Sequence, residues 1–496
     1  MKSVLTTSLA LLLCLGSSAT ALHAQASKDG AITPKLLEEL RQSEPKSSTE
    51  KALHNAIAVQ GMQDFFINNQ RPRSIEDKFS VEVQSSGIAD QKQSGRCWLF
   101  TGLNVLRAQL MTREKSGTFF FSQNYSFFWD QLEKSNLFLE GIIETRKLPV
   151  NDAKVEWLFK NPINDGGQFT GISDNLYKYG VVPAEVMPET ASSNNTKLLG
   201  KMLARTLRQT GIQLRKASEK GESLAQLRKR KEDGLKKVYR LLSLNLGVPP
   251  TSFTYTLKDK DGKAISTETY TPQSFYERFV GADLRGQFVM LMNDPSRPYY
   301  KVYEIEYDRH AYDGKNWTYV NLPMDEIKQM AIASLKDNTM MYYSCDVSRE
   351  LDRSQGIAAL DNYDYASLLG YPFDMDKAER IQTFDSGSTH AMTLKAVDLD
   401  ASGKPVKCSR FVSSDDDFKI RRRNGAGHPI STIRCRPSIP QNFKRCDSSL
   451  HLWHRHAMLC LGINCLRHPA FILITDRPAT ALRTSRRHVD RLFLAG

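Results

Sequence analysis

The sequence predicts an α+β protein, and three observations carry this prediction. Residues 34–70, 99–110 and 122–139 show the apolar spacing of helices, and a long helical stretch follows at 197–246. From residue 251 onward, alternating apolar and polar residues indicate strands. The chain has 496 residues, of which 40% are hydrophobic and 9% aromatic, as in an ordinary globular protein. This length is enough for two or three domains.

The first 26 residues have the pattern of a cleavable signal peptide. Lys2 precedes an apolar run at 9–15, and Ala24-Gln25-Ala26 suits cleavage after Ala26. Cys14 follows three leucines rather than a small residue, which argues against lipidation. We therefore expect a periplasmic or secreted protein. No other stretch approaches the ~18 apolar residues of a membrane helix, so no membrane span is expected.

Residues 91–98, Gln-Lys-Gln-Ser-Gly-Arg-Cys-Trp, directly precede the helix predicted at 99–110. This order places the Cys97 thiol at a helix N-terminus, where the partial positive charge favours the reactive thiolate. The amide of Gln91 could then donate to the oxyanion that forms when the thiolate attacks a carbonyl. The alternative is that Cys97 is a small buried residue beside Trp98.

A second helix is predicted from Ser122, whose hydroxyl can cap it, with an aromatic face that we assign to the core. Asn164-Asp165-Gly166-Gly167 predicts a tight turn before a helix from about Gly171 to Tyr179. The two glycines could offer main-chain hydrogen bonds to an extended peptide, or they could serve the turn alone. Residues 195–248 predict a basic helical hairpin that breaks near Gly221. Its charge run at 228–231 indicates a solvated or intersubunit face, with nucleic-acid binding as the alternative.

A cysteine nucleophile needs a base, and histidine is the usual one. The strand predicted at 389–397 begins with His390. The other histidines before residue 408 lie in the signal peptide (His23), in the leading helix (His54) and in a polar loop (His310). His390 is therefore the candidate base, and a structural histidine is the alternative.

Several motifs resemble bleomycin hydrolase and bacterial aminopeptidase C, the self-compartmentalising branch of the papain superfamily. The resemblance covers about residues 50 to 407. The matching segments are 91–106, 122–139, 164–183, Cys345-Asp346-Val347, 377–380 and 389–393.

The resemblance implies a papain-like cysteine peptidase fold, with a helical left half, a β-rich right half and a helical insertion. It implies that Cys97 is the nucleophile, His390 the base and Gln91 the oxyanion donor, and that Gly166 and Gly167 bind the substrate backbone. It further implies removal of N-terminal residues from peptides without a cofactor, and assembly into a hexamer through the insertion.

The chain departs from this family after His390. The family continues, about 22–24 residues on, with a segment like Glu-Asn-Ser-Trp-Gly, whose Asn orients the histidine. Here residues 408–415 read Cys-Ser-Arg-Phe-Val-Ser-Ser-Asp, and no Asn-Ser-Trp follows. We therefore expect incomplete C-terminal strands, a poorly folded chain from about residue 400, and weak or absent activity. A catalytically impaired homologue with a binding or assembly role is the alternative function.

The composition also changes at residue 408. Residues 408–496 contain 14 Arg and 2 Lys against 6 Asp and no Glu, which supplies +10 of the net charge of +13. They hold five of the eight cysteines but none of the 18 tyrosines. We infer a shifted reading frame rather than a genuine basic appendage. The domain boundaries are therefore 1–26, 27–407 and 408–496.

Two further functions are disfavoured by the sequence. Nucleic-acid binding is not expected, because the chain before residue 408 is nearly neutral. The tail spacing His451-x2-His454-x-His456 with Cys460-x4-Cys465 fits no common zinc finger, so no metal site is expected.

Overall fold

The computed structural model describes residues 30–70, 78–87, 89–286, 288–347, 351–352, 357–359 and 361–411, and three short strands at 431–434, 457–459 and 472–473. The predicted signal peptide and most of the predicted tail, including its histidines and its Cys460 and Cys465, lie outside these residues. The chain divides into two compact units, Met1–Phe65 and Phe66–Gly496. Among the described helices, none combines the length and apolar character needed to cross a bilayer.

From residue 30 onward, the first unit has two α-helices, α1 (Pro34–Arg41) and α2 (Ser48–Gln60). Thr33 caps α1, and α2 begins with a capping box between Ser47 and Glu50. The prediction of one helical stretch over 34–70 is therefore wrong. Pro45 lies in the break, where its missing N–H and its effect on the preceding residue oppose a continuous helix.

The helices of the second unit come mainly from its first half. They are α3 (Cys97–Glu114), α4 (Gln123–Glu144), α5 (Ala153–Lys160), α6 (Phe169–Tyr179), α7 (Ala191–Asn194), α8 (Lys197–Glu219), α9 (Leu224–Leu246), α10 (Pro272–Phe279), α11 (Met324–Lys336), α12 (Tyr365–Leu369) and α13 (Lys377–Gln382). Helices α3 and α4 are buried on nearly all sides. Ser122 caps α4 as predicted, and Phe127, Phe128 and Phe138 of its aromatic face lie in the core.

The predicted basic hairpin consists of α8 and α9, joined at Gly221 with φ +87°. Helix α9 packs against both α8 and α4. The charge run at 228–231 is only partly exposed to solvent. Lys231 lies against α4, and its Nζ is 2.7 Å from Glu140 Oε1. Lys229 and Arg230 remain exposed to solvent.

The strands in the described part of the chain form three sheets. They are β1 (Val81–Glu82), β2 (Phe253–Lys258), β3 (Ala264–Tyr270), β4 (Val289–Met292), β5 (Lys301–Ile305), β6 (Trp317–Asn321), β7 (Met341–Cys345), β8 (Leu351–Asp352), β9 (Ile357–Ala358), β10 (His390–Leu399), β11 (Pro405–Phe411), β12 (Ser431–Arg434), β13 (Ala457–Leu459) and β14 (Ile472–Leu473). One sheet has the order β1-β10-β11-β12-β9-β8, with β7 also paired to β10. The others are β13-β4-β6-β5-β14 and the hairpin β2-β3. The predicted α+β class is confirmed.

Strand β10 positions the candidate base. It packs against α3, and His390 lies opposite Cys345 in the antiparallel pairing with β7. On its other part β10 pairs with β11, where Cys408 lies opposite Val397. The core of this half of the molecule is therefore built around the strand that begins with His390.

Regular structure continues beyond residue 400, from which we expected a poorly folded chain. A turn in which Asp400 N–H donates to Lys404 O (2.9 Å) closes the β10–β11 hairpin, and β11 continues to Phe411. The ordered chain therefore crosses both residue 400 and the inferred joint at 408. Strands β12, β13 and β14 also come from a region in which the sequence showed no strand period.

Candidate active site

Cys97 is the first residue of α3, which packs against β10. The preceding residue, Arg96, caps the helix without a side-chain hydrogen bond to it. The Cys97 thiol accepts hydrogen bonds from the backbone N–H groups of Ala391 and Trp98. Because Ala391 follows His390 directly, the structure brings the start of β10 against the start of α3. Cys97 and His390 are both partly exposed.

The thiol differs electrostatically from the sequence-based expectation. Burial raises the pKa of the Cys97 thiol, and the hydrogen bonds from Ala391 and Trp98 only partly oppose this effect. The negative charge of Asp165 raises the pKa further. The expected lowering by the helix N-terminus is therefore wrong for the free protein, since desolvation disfavours the thiolate more than the helix start favours it.

Replacing Asp165 with asparagine is expected to lower the pKa of Cys97, because it removes a negative charge that disfavours the thiolate. The new amide oxygen can still accept from Gly95 N–H and the Thr196 hydroxyl, which both donate to Asp165 Oδ2. The rate of Cys97 alkylation by iodoacetamide should therefore rise at a lower pH than in the original chain. Asp313→Asn, which changes an exposed carboxylate paired with Lys178, is the control. A profile that is unchanged or moves to higher pH would contradict this expectation.

Gln91 is buried in the loop of residues 91–96, which leads to the candidate nucleophile Cys97 and is called the nucleophile loop. Its Nε2 donates to Ser94 O (2.5 Å), while the Ser94 hydroxyl donates back to Gln91 O (2.6 Å). These two bonds fix both the backbone and the side chain of Gln91 within a short turn. The amide therefore has a defined orientation six residues before Cys97.

The predicted turn at 164–167 is held by the side chains of two helices. Lys134 Nζ donates to Asn164 O (3.3 Å) and Gly166 O (2.6 Å), and Gln131 Nε2 also donates to Asn164 O (2.9 Å). Trp98 Nε1 donates to the carbonyl between them, Asp165 O (2.8 Å). The next helix begins at Phe169, slightly earlier than the predicted Gly171.

The two glycines of this turn have different surroundings. A Cβ at Gly167 would lie 2.2 Å from His310 Cε1 and 2.8 Å from Trp98 Cδ2. At Gly166 the nearest atom would be Asn164 Oδ1, at 3.5 Å. Gly167 is therefore required by packing, whereas the position at Gly166 is open.

This difference predicts opposite outcomes for two alanine substitutions. Gly167→Ala is expected to cost about 1–3 kcal/mol of unfolding free energy, because the methyl group overlaps two buried rings. Gly166→Ala should leave stability nearly unchanged, so an increase of KM in this variant reports on contact with the substrate. Urea unfolding and peptide hydrolysis distinguish the two effects. Equal destabilisation by both changes would show that the packing described here is wrong.

The sequence reasoning missed one buried charged cluster beside the site. His310 was assigned to a polar loop, but its side chain is 7% exposed and its Nδ1 lies 2.5 Å from Asp130 Oδ1. Asp130 also pairs with Lys134 (2.9 Å), and the His310 ring contacts Trp98 edge to face. The i, i+4 spacing of Asp130 and Lys134 on α4 was a visible signal, but their histidine partner comes from the loop between β5 and β6.

Within the described residues, no group of three or more His, Cys, Asp and Glu side chains is arranged to hold a metal ion. The thiol of Cys97 is not in a disulfide bond.

Comparisons with known proteins identify the family of this chain. The model of the Peptidase C1-like family matches residues 31–412, so the match continues slightly past residue 408. Aminopeptidase C of Streptococcus thermophilus is 37% identical over 358 residues, which cover 72% of this chain and 80% of the relative. Aminopeptidase C of Lactobacillus delbrueckii subsp. lactis is 36% identical over 355 residues, covering 71% and 79%.

A solved structure extends the comparison to the fold. The crystal structure of PepW from Lactobacillus rhamnosis HN001 (DR20) superposes with a TM-score of 0.76 at 33% identity, covering 82% of this chain and 90% of PepW. The predicted papain-like fold is thereby confirmed. The chain belongs to the Peptidase C1-like family, in the group of bleomycin hydrolase and aminopeptidase C.

Proposed function

We propose that this chain is a thiol aminopeptidase that removes N-terminal residues from peptides through an acyl-enzyme on Cys97. One observation carries the proposal most directly: Cys97 begins α3, His390 begins β10, and these two elements pack against each other. Nucleophile and base therefore come from adjacent element ends. The aminopeptidase C relatives support the reaction class.

The proposed reaction begins with transfer of the Cys97 proton to His390, since the raised thiol pKa requires a base. The sulfur then attacks the first peptide carbonyl, and the resulting oxyanion accepts from the Gln91 amide and the Cys97 backbone N–H. Collapse breaks the C–N bond, and the imidazolium of His390 protonates the leaving amine. His390 next takes a proton from water, which hydrolyses the thioester and restores the thiol.

The test compares two peptide amides that differ only at their N-terminus. The purified chain should hydrolyse the amide with a free α-amino group, and iodoacetamide should abolish this activity. An N-acetylated counterpart should be a much poorer substrate if the enzyme is an aminopeptidase. Preferential cleavage of the blocked peptide, or activity that survives complete alkylation of Cys97, would contradict the proposal.

The second candidate function is a catalytically impaired homologue that serves in binding or assembly. It is favoured by the sequence after His390, which contains no Asn-Ser-Trp segment to orient the imidazole. By this proposal, iodoacetamide labels Cys97 slowly at neutral pH and turnover is weak. Full thiol-dependent activity in the 496-residue chain would contradict it. Coding DNA that restores Asn-Ser-Trp in a second frame near codon 408 would establish the origin of the tail.

Export and assembly complete the proposal. The signal-peptide pattern supports cleavage after Ala26 and a periplasmic or secreted protein, which N-terminal sequencing of the fractionated protein tests. The resemblance and the α8–α9 hairpin support a hexamer, which sedimentation analysis of the mature chain tests. Nucleic-acid binding through this hairpin would have to persist at moderate salt without residues 408–496.

A further inference from the structure

The nucleophile loop contains a buried ion pair that the proposed reaction does not use. Arg96 is fully buried and makes a two-point contact with Glu189, with N···O distances of 3.1 and 2.8 Å. Its guanidinium also lies over the rings of Phe100 and Phe127, at 5.0 and 5.2 Å. A planar guanidinium held at two points and between two rings has one orientation.

The remaining nitrogen of the guanidinium, Nε, connects Arg96 through Ser94 to Gln91, the proposed oxyanion donor. Arg96 Nε donates to the Ser94 hydroxyl (3.0 Å), and that hydroxyl donates to Gln91 O (2.6 Å). The Ser94 carbonyl in turn accepts from Gln91 Nε2. A continuous chain of hydrogen bonds therefore runs from Glu189 through Arg96 and Ser94 to both ends of Gln91.

Glu189 is itself anchored at the base of the helical insertion. The next residue, Thr190, caps α7 and donates to Asn245 O at the end of α9 (2.8 Å). The same segment binds the nucleophile loop a second time, since Gln93 N–H donates to Asn194 O and Asn195 Nδ2 donates to Gln93 Oε1. The loop is thus fixed against the segment 189–195, which leads into the insertion, rather than against α3 alone.

We propose that Arg96 and Glu189 are positioning residues that set the orientation of the Gln91 amide through Ser94. An oxyanion donor works only if it already points to the place where charge develops, so a small loss of orientation lowers the rate. The proposal rests on the proposed function of Gln91. It assigns the segment 189–195 at the base of the insertion the role of holding the oxyanion donor in place.

The test uses Ser94→Ala and Glu189→Gln, with Gln91→Ala as the reference. Ser94→Ala interrupts the chain without leaving a charge unpaired, so it remains informative even if Glu189→Gln folds poorly. We expect each variant to lower kcat by about 10-fold or more, against about 10²–10³-fold for complete loss of an oxyanion donor. KM and the rate of Cys97 alkylation by iodoacetamide should stay within about 2-fold, because a positioning role concerns the oxyanion alone.

A double-mutant cycle separates positioning from general destabilisation. If Ser94 acts through Gln91, Ser94→Ala should have no further effect in the Gln91→Ala background. Arg215→Lys is the matched control, because Arg215 is a buried arginine of α8 that donates to Thr145 O and Leu148 O just after α4, and none of these residues belongs to the hydrogen-bond chain at Gln91. This control should leave kcat within about 2-fold of the original chain.

The same cycle can be measured without turnover, from the affinity of an amino-acid nitrile. The Cys97 thiol adds across the C≡N bond, so a C–S bond forms, the proton passes to nitrogen, and Gln91 donates to that nitrogen. Additive effects in the cycle, equal losses of kcat and alkylation rate, or a chain that is alkylated but does not bind the nitrile would each overturn the inference. Failure of Cys97 alkylation in the original chain would instead overturn the proposed function.

Discussion

Replacing His390 with alanine is expected to lower kcat for peptide hydrolysis by about 10²–10⁴-fold, the usual contribution of a general base. The physical reason is the raised pKa of the Cys97 thiol, which burial and Asp165 keep protonated near neutral pH. Without a base next to the thiol, attack depends on the small fraction of thiolate. The loss should therefore be larger at pH 6 than at pH 8.

The pH profile of Cys97 alkylation separates this role from a structural one. With His390 present, proton transfer to the imidazole maintains reactive thiolate at pH values below the raised thiol pKa. In the alanine variant, alkylation should follow a single ionisation at higher pH. His54→Ala, which changes an exposed histidine of α2, is the control and should leave both measurements unchanged. An alkylation profile that does not depend on His390 would make it the structural histidine of the alternative interpretation.

The parts of the site that the sequence predicted are those whose signals are local. The sequence predicts a helix at 99–110 and a strand at 389–397, and the structure begins α3 at Cys97 and β10 at His390, each within two residues of the predicted start. The thiol pKa could not be predicted in this way, since it depends on burial by the rest of the fold. The same limit applies to Arg96, whose partner Glu189 lies 93 residues further along the chain.

The charged cluster beside Trp98 shows this limit most clearly. His310 and Asp130 are 180 residues apart in sequence, and only the packing of the β5–β6 loop onto α4 brings them together. In the sequence, His310 is surrounded by polar residues and resembles a surface loop. The polar neighbours of His310 indicate an exposed side chain, whereas in the structure His310 is buried and pairs with the Asp130 carboxylate.

Replacing Asp130 with alanine is expected to destabilise the protein by about 3–5 kcal/mol, the usual cost of breaking a buried ion pair. The Asp130 side chain is completely buried between Lys134 and His310, whose own side chains are 9% and 7% exposed. Its removal leaves buried His310 and Lys134 without the carboxylate that both contact. Lys134 also donates to the carbonyls of Asn164 and Gly166, so the turn at 164–167 should become less rigid as well.

Urea unfolding, followed by tryptophan fluorescence because Trp98 contacts His310, measures this loss. Asp313→Ala is the matched control: it removes a carboxylate that pairs with Lys178 but is 66% exposed, and should cost at most about 1 kcal/mol. A loss for Asp130→Ala no larger than that of this control would show that the cluster contributes no more than a surface ion pair.

The pH dependence of stability provides an independent test of the same pair. Burial alone would raise the pKa of Asp130, but the charges of Lys134 and His310 outweigh it and hold the pKa below its ordinary value. A carboxyl group whose pKa is lower in the folded protein adds stability above the pKa of the unfolded chain, about 3.9, and loses it as the pH falls toward the folded value. The difference in unfolding free energy between the original chain and Asp130→Ala should therefore be constant near neutral pH and shrink below about pH 4. A difference that instead grows with acidification would mean that Asp130 is held in its neutral form.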